Sequence, residues 1–215
     1  MSGLAERLRV YVVTTSTGAG HEGVVEAAVA GGATAVQLRA PELDDEQLLP
    51  LAVQLAERCR AAGVVLIVND RVDVAVASGA DGVHVGQGDE LLGVRDRLGP
   101  DRLLGISVRG VGDVAAALAH GADYLGATVW ATATKPEAVP GGLEQLTAVA
   151  EASPVPVVGI GGINADNAAE VVASGAAGVA VISAVAQARD PVAAVRRIAA
   201  AVDGGVRPTG RAGRP

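Results

Sequence analysis

Residues Val68 to Glu90 read VNDRVDVAVASGADGVHVGQGDE. The stretch holds an apolar run ending in Asn69-Asp70-Arg71, a short helical pattern, the stop signal Gly79-Ala80-Asp81, a second apolar run, and Gly86-Gln87-Gly88-Asp89. It reads as a strand end, a crossover helix and the next strand, and such a crossover leaves parallel strands with their carboxyl ends on one side. Asp70 and Asp89 then leave the same edge. Paired carboxylates at such an edge suit a Mg²⁺ ion that keeps several waters and binds substrate phosphate. A helix N-cap accounts for Asp70 equally well, because a strand followed by Asn-Asp and a helix is a capping junction.

The same alternation extends both ways along the chain. Upstream lie strands at Arg9 to Thr14, Ala35 to Leu38 and Val64 to Val68, with helices expected over Glu22 to Ala30 and from Asp44-Asp45-Glu46 to Arg60, acids first as the helix dipole prefers. The strand Val83 to Val85 closes the opening stretch. Downstream, strands at Leu103 to Ser107, Tyr124 to Gly126, Val157 to Ile160 and Gly178 to Ile182 alternate with helices over Leu91 to Leu98, Asp113 to Ala119, Leu143 to Glu151, Ala165 to Ala173 and Val192 to Val202.

A near-repeat supports eight units. Gly32-Ala33-Thr34, Gly79-Ala80-Asp81, Gly121-Ala122-Asp123 and Gly175-Ala176-Ala177 each follow a helix and open an even-numbered strand, at spacings of 47, 42 and 54 residues. Four two-unit modules make a single (β/α)₈ TIM barrel over residues 1–203, with its active site at the carboxyl ends of the strands. An open doubly wound sheet is the other arrangement of the same units. Residues 204–215, all Gly, Pro, Arg and small side chains, have nothing to bury and are expected to be a disordered tail.

Composition limits the partners. The net charge is -7, and no basic run interleaves with aromatics, which argues against nucleic acid. No apolar run approaches a membrane span and MSGLAERLRV lacks a signal-type core, so the expectation is a soluble cytoplasmic protein. A homo-oligomer is left open. Cys59, the single cysteine, reads as a buried hydrophobe. With no Phe, the core must rest on Val, Ala, Leu and Ile, the side chains that a layered barrel interior takes.

If the barrel forms, its strand ends carry Thr14 and Thr15, Gln37 and Arg39, Asn69 and Asp70, Gln87 and Asp89, Ser107 and Arg109, Thr132, Thr134 and Lys135, Gly161 and Gly162, and Ile182 and Ser183. Anion donors in two groups, with a carboxylate pair between, suit small-molecule substrates carrying more than one phosphate. No Ser/His/Asp or Cys/His set stands out. His84, between Val83 and Val85, reads as a hydrogen-bonded barrel histidine, His120 as a helix-end residue, and Trp130 as either a cover for ligand or loop packing.

From Tyr11 to about Ala201 the chain resembles thiamine phosphate synthase. The resemblance rests on VQLR at Val36 to Arg39, the opening stretch, GISV at Gly105 to Val108, TATKP at Thr132 to Pro136, and VVGIGGIN with GVAVISA. It implies a Mg²⁺-dependent transferase joining hydroxymethylpyrimidine diphosphate to hydroxyethylthiazole phosphate with release of pyrophosphate. The matching positions make Asp70 and Asp89 the metal ligands. Gln37, Arg39, Asn69, Ser107 and Lys135 would hold the pyrimidine and its diphosphate, and Thr132, Thr134, Gly162, Ile182 and Ser183 the thiazole phosphate. Asp70, Asp89, Lys135 and Ser107 would carry the catalysis.

Three departures accompany the resemblance. Pro41 stands where the family has lysine, Arg109 where it has histidine, and the loop Gly126 to Lys135 is one residue shorter. The alternatives are a thiazole tautomerase-like isomerase and a non-catalytic phosphate-binding paralogue. The first of these places a catalytic histidine at the position of Arg109.

Overall fold

Alternate residues of each strand face two different apolar interiors. In the computed structural model, which describes residues 3–86, 91–131 and 139–205, Val10 and Val12 belong to the layer between sheet and helices, while Tyr11 and Val13 fill the space inside the sheet. The same split puts Leu66 and Val68 outside, and Val65 and Ile67 inside. A strand buried on both faces needs a continuous apolar run, and that is what these strands carry.

Eight strands pair in parallel and in chain order: β1 (Val10–Val13), β2 (Ala35–Leu38), β3 (Val65–Asn69), β4 (Gly82–Val85), β5 (Leu103–Val108), β6 (Tyr124–Thr128), β7 (Val157–Ile160) and β8 (Gly178–Val181). β8 returns to β1, with Val10 opposite Val179, so the barrel is closed and the open sheet is excluded. The helices are α1 (Leu4–Arg7), α2 (Gly20–Gly31), α3 (Asp45–Ala62), α4 (Val72–Ser78), α5 (Val94–Leu98), α6 (Val111–Ala119), α7 (Gly142–Ala152), α8 (Ala168–Ala173), α9 (Ser183–Ala186) and α10 (Pro191–Gly205). None is long and apolar enough to cross a membrane.

The near-repeat does more than end helices. Gly32, Gly79, Gly121 and Gly175 take φ of 89°, 72°, 82° and 101°, the left-handed turn that stops each helix. In three of the four copies the third residue then pins the start of the preceding odd strand. Thr34 Oγ1 accepts the Val10 N–H at 3.0 Å, Asp81 Oδ2 that of Leu66 at 2.8 Å, and Asp123 Oδ2 that of Leu104 at 2.8 Å. These bonds satisfy backbone donors at the amino-terminal rim, where no further strand residue can pair with them.

Several boundaries differ from the sequence reading. α1 and α9 are additional, each a single turn with little periodicity to reveal it. α5 starts at Val94 rather than Leu91, and α8 at Ala168 rather than Ala165, because turns precede both. α10 reaches Gly205, two residues beyond the boundary drawn at 203, since Gly205 packs closely on the Ala169 backbone. Residues 206–215 lie outside the described residues.

Candidate active site

The period of two that sorts the core also builds the site. Counting along the inner face toward the carboxyl ends, the apolar side chains give way to Gln37 on β2, Asn69 on β3, His84 on β4, Ser107 on β5 and Thr128 on β6. They open into a cavity, partly open to solvent, whose far wall is Gly161, Gly162, Ile182 and Ser183. Of the residues expected from sequence, Gln37, Arg39, Asn69, Ser107, Gly162, Ile182 and Ser183 line this one cavity. Asp89, Thr132, Thr134 and Lys135, with Gln87, lie outside the described residues.

Asp70 follows Asn69 at the end of β3 and takes φ 60°, the only non-glycine residue with positive φ among those described. Asp tolerates this conformation better than most residues, yet it is strained and such strain gathers at functional sites. The capping alternative is overturned: Arg71 occupies the N-cap of α4, and no side-chain cap bond is made there. The Asp70 carboxylate instead accepts from Asn69 Nδ2 at the cavity edge, while its backbone N–H donates to the His84 carbonyl at 2.9 Å. An exposed, backbone-fixed carboxylate of this kind fits a hard cation that keeps most of its water. Among the described residues no group of three metal-ligating side chains assembles.

The far wall is a turn of two left-handed glycines, Gly161 (φ 94°) and Gly162 (φ 65°). A Cβ on Gly161 would lie 2.4 Å from the Trp130 carbonyl, and one on Gly162 would lie 3.0 Å from Trp130 Cβ. Trp130 therefore packs on this turn and is not among the cavity-lining residues. Arg109 is exposed and does not line the cavity either; its backbone N–H donates to Asp113 Oδ2 at 2.8 Å.

Beneath the cavity runs a chain of hydrogen bonds. Gln37 Nε2 is 3.0 Å from the Tyr11 hydroxyl, which is 3.0 Å from that of Tyr124. His84 Nδ1 is 3.1 Å from the Tyr124 hydroxyl, and its Nε2 is 3.0 Å from Ser107 Oγ. His84 is thus the bonded barrel histidine expected, but the sequence reading missed that it meets Ser107. Space for its ring comes from Gly105, where a Cβ would sit 2.4 Å from His84 Nδ1 and 2.2 Å from Tyr124 Cζ. Burial raises the ionisation of both tyrosines far above the ordinary range, so both stay neutral. Tyr11 and Tyr124 were also missed, although the only two tyrosines of a chain without Phe both fall on inner strand positions.

A second brace sits at the rim. His21 joins Thr14 Oγ1 and Glu42 Oε1, each at 2.8 Å, and Thr14 Oγ1 accepts the Arg39 N–H at 3.1 Å. Thr14 itself is fully buried and supports the site from behind.

Comparison with known proteins agrees with this architecture. A thiamine phosphate pyrophosphorylase from Pyrococcus furiosus superposes with a TM-score of 0.89 and 37% identity, covering 95% of this chain and 100% of that one. A thiamine-phosphate synthase from Chloroflexus aurantiacus is 48% identical over 90% of this chain and 92% of its own, and one from Laribacter hongkongensis is 52% identical over 81% and 84%. The model of the family described as thiamine monophosphate synthase matches residues 10–185, and with these relatives it shows that the chain belongs to that family of thiamine-biosynthetic transferases.

Proposed function

We propose that this chain condenses hydroxymethylpyrimidine diphosphate with hydroxyethylthiazole phosphate to give thiamine phosphate and pyrophosphate. The observation that carries the reading is the single cavity lined on one side by Gln37, Arg39, Asn69 and Ser107, and on the other by Gly162, Ile182 and Ser183. In the reaction the methylene C–O bond breaks with its electron pair leaving on pyrophosphate, and the thiazole nitrogen lone pair forms the new C–N bond. No protein nucleophile takes part. The demands are neutralisation of the leaving charge, two reactants held together and exclusion of water.

The residues divide accordingly. Gln37, Asn69 and Ser107 orient the pyrimidine, Arg39 and Lys135 meet its diphosphate, and Thr132, Thr134, Gly162, Ile182 and Ser183 hold the thiazole phosphate. Gly161 and Gly162 line the cavity at a left-handed turn, and such glycine turns let backbone N–H groups approach an anion closely. Asp70 and Asp89 would hold Mg²⁺, which when bound neutralises the departing diphosphate. The isomerase alternative is weakened because Arg109, at its catalytic position, does not line the cavity.

Incubation with both substrates and Mg²⁺, followed by chromatographic detection of thiamine phosphate, tests the proposal. Formation of thiamine phosphate only when all three are present is the expected result. Binding of both substrates without product would favour the non-catalytic paralogue.

A further inference from the structure

The bonds beneath the cavity form a relay with ends at two substrate-facing residues, Gln37 and Ser107. It crosses from β2 through β1, β6 and β4 to β5. Its direction is set at Gln37, whose Nε2 can only donate. Tyr11 accepts that bond, so its single proton goes to its other partner, the Tyr124 oxygen. The Tyr124 proton then goes to His84 Nδ1. Nδ1 is consequently the unprotonated nitrogen, and Nε2–H donates to Ser107 Oγ. His84 in this state cannot remove a proton from Ser107, despite the 3.0 Å separation that resembles a nucleophile and its base.

The relay leaves an acceptor, Gln37 Oε1, and a donor, the Ser107 O–H, for a ligand in the cavity that both residues line. Reversing it requires turning the Gln37 amide, moving the His84 proton and re-aiming the hydroxyls together. Any partial reversal points two protons at one buried oxygen or none at another, and buried unsatisfied groups are costly.

Resting on the function proposed above, we infer that Tyr11, Tyr124 and His84 are positioning residues that fix the hydrogen-bonding polarity of Gln37 and Ser107, and so select an aminopyrimidine over the corresponding pyrimidinone. An aminopyrimidine offers a donor amino group beside an acceptor ring nitrogen. The pyrimidinone lactam edge offers the reverse.

Two measurements test this. Nitrogen-15 NMR of the imidazoles, with the His84 signals assigned by their loss in His84→Gln, should show the Nε2–H tautomer in the wild type and a mixture in Tyr124→Phe. Calorimetric binding of 4-amino-5-hydroxymethyl-2-methylpyrimidine and of its 4-oxo counterpart should favour the amino compound in the wild type, because a pocket with committed polar groups rejects a mismatched partner. In Tyr124→Phe that ratio should fall at least about tenfold, with Tyr11→Phe as the second variant should the first not fold. An Nδ1–H tautomer in the wild type, an unchanged ratio in a folded variant, or equal or absent binding of the two heterocycles would overturn the inference. Selective binding without thiamine phosphate formation would sink the reaction and leave the relay standing.

Discussion

The buried Thr14 hydroxyl lies 2.8 Å from His21 Nδ1 and also receives the Arg39 backbone N–H at 3.1 Å. The end of β1 thereby fixes the backbone of the residue proposed to meet the diphosphate. Thr14→Val keeps the shape and removes the hydroxyl, leaving Arg39 N–H and His21 without that partner. The expected cost is about 1–3 kcal/mol of stability, the range for an unmade buried bond. KM for the pyrimidine diphosphate should rise more than KM for the thiazole phosphate. Denaturant unfolding and steady-state kinetics check this; equal changes in both KM values would assign Thr14 a purely structural role.

Glu42 carries the other end of the brace. Burial works to raise its pKa, but the hydrogen bond and charge of His21 outweigh that and hold the carboxyl below its ordinary value of 4.5. A carboxyl lowered on folding stabilises fully above its ordinary value, and the contribution disappears as pH falls through the folded one. Glu42 is well exposed, so the effect is small and screened by salt. The melting temperature of Glu42→Gln should lie below that of the wild type at pH 6 and converge with it as pH drops through the carboxylate range. Curves that stay parallel would contradict the assignment.

Asp70 combines strained backbone with an exposed carboxylate, so function and stability should part company there. Asp70→Asn and Asp70→Gly should each lower turnover at least about tenfold, since changes even around a metal's ligands cost about 10–100-fold. A chelator should abolish wild-type activity and added Mg²⁺ restore it. Asp70→Gly should nonetheless unfold later than Asp70→Ala by about 1 kcal/mol, because only glycine takes φ 60° without cost. An Ala variant as stable as the Gly one would mean that the backbone relaxes.

The eight units were legible because each strand is a continuous apolar run and each even one is announced by a Gly-Ala pair after a helix. Gln37, Asn69 and Ser107 were legible as cavity residues for the same reason, since a strand's period of two fixes the face. What escaped was contact between distant strands. Nothing local links Tyr11 to Tyr124, 113 residues away, or His84 on β4 to Tyr124 on β6, across β5. Asp81 and Asp123 were visible as part of a turn signal, but their bonds to Leu66 and Leu104 depend on which strand lies beside them. Asp70 was ambiguous in sequence because a cap and a site residue use the same side chain, and only the position of α4 separates them.

Cys59 is fully buried on α3, and burial, helped by the charge of Asp81, pushes its thiol up to about 11. The thiolate is the reactive form, so both access and ionisation oppose modification. At pH 8 a disulfide reagent should label the native protein at least about a thousandfold more slowly than the denatured chain, with the rate following local or global opening. Rapid native labelling would show that α3 opens far more readily than its packing implies.

The tyrosine pair predicts how the barrel fails in alkali. Tyr11 and Tyr124 are fully buried, and burial raises both pKa values above the ordinary 10.0, with Tyr124 raised further by its neighbour Tyr11. In the unfolded chain both ionise near the ordinary value, whereas the fold keeps them neutral. The stabilisation from this pair is therefore complete below pH 10 and is lost as pH rises toward the folded values. Each group contributes a slope of up to about 1.4 kcal/mol per pH unit in that window. Cys59, raised from 9.0 to about 11, adds a third group that starts slightly earlier. Urea unfolding at successive pH values should give a flat stability from neutrality to about pH 9 and then a steepening fall. Tyr11→Phe removes one titrating group, so its fall between pH 10 and 11 should be shallower than that of the wild type even though its stability at pH 7 is lower. A wild-type curve without the added slope, or a variant that parallels it, would mean that the two phenols ionise inside the fold.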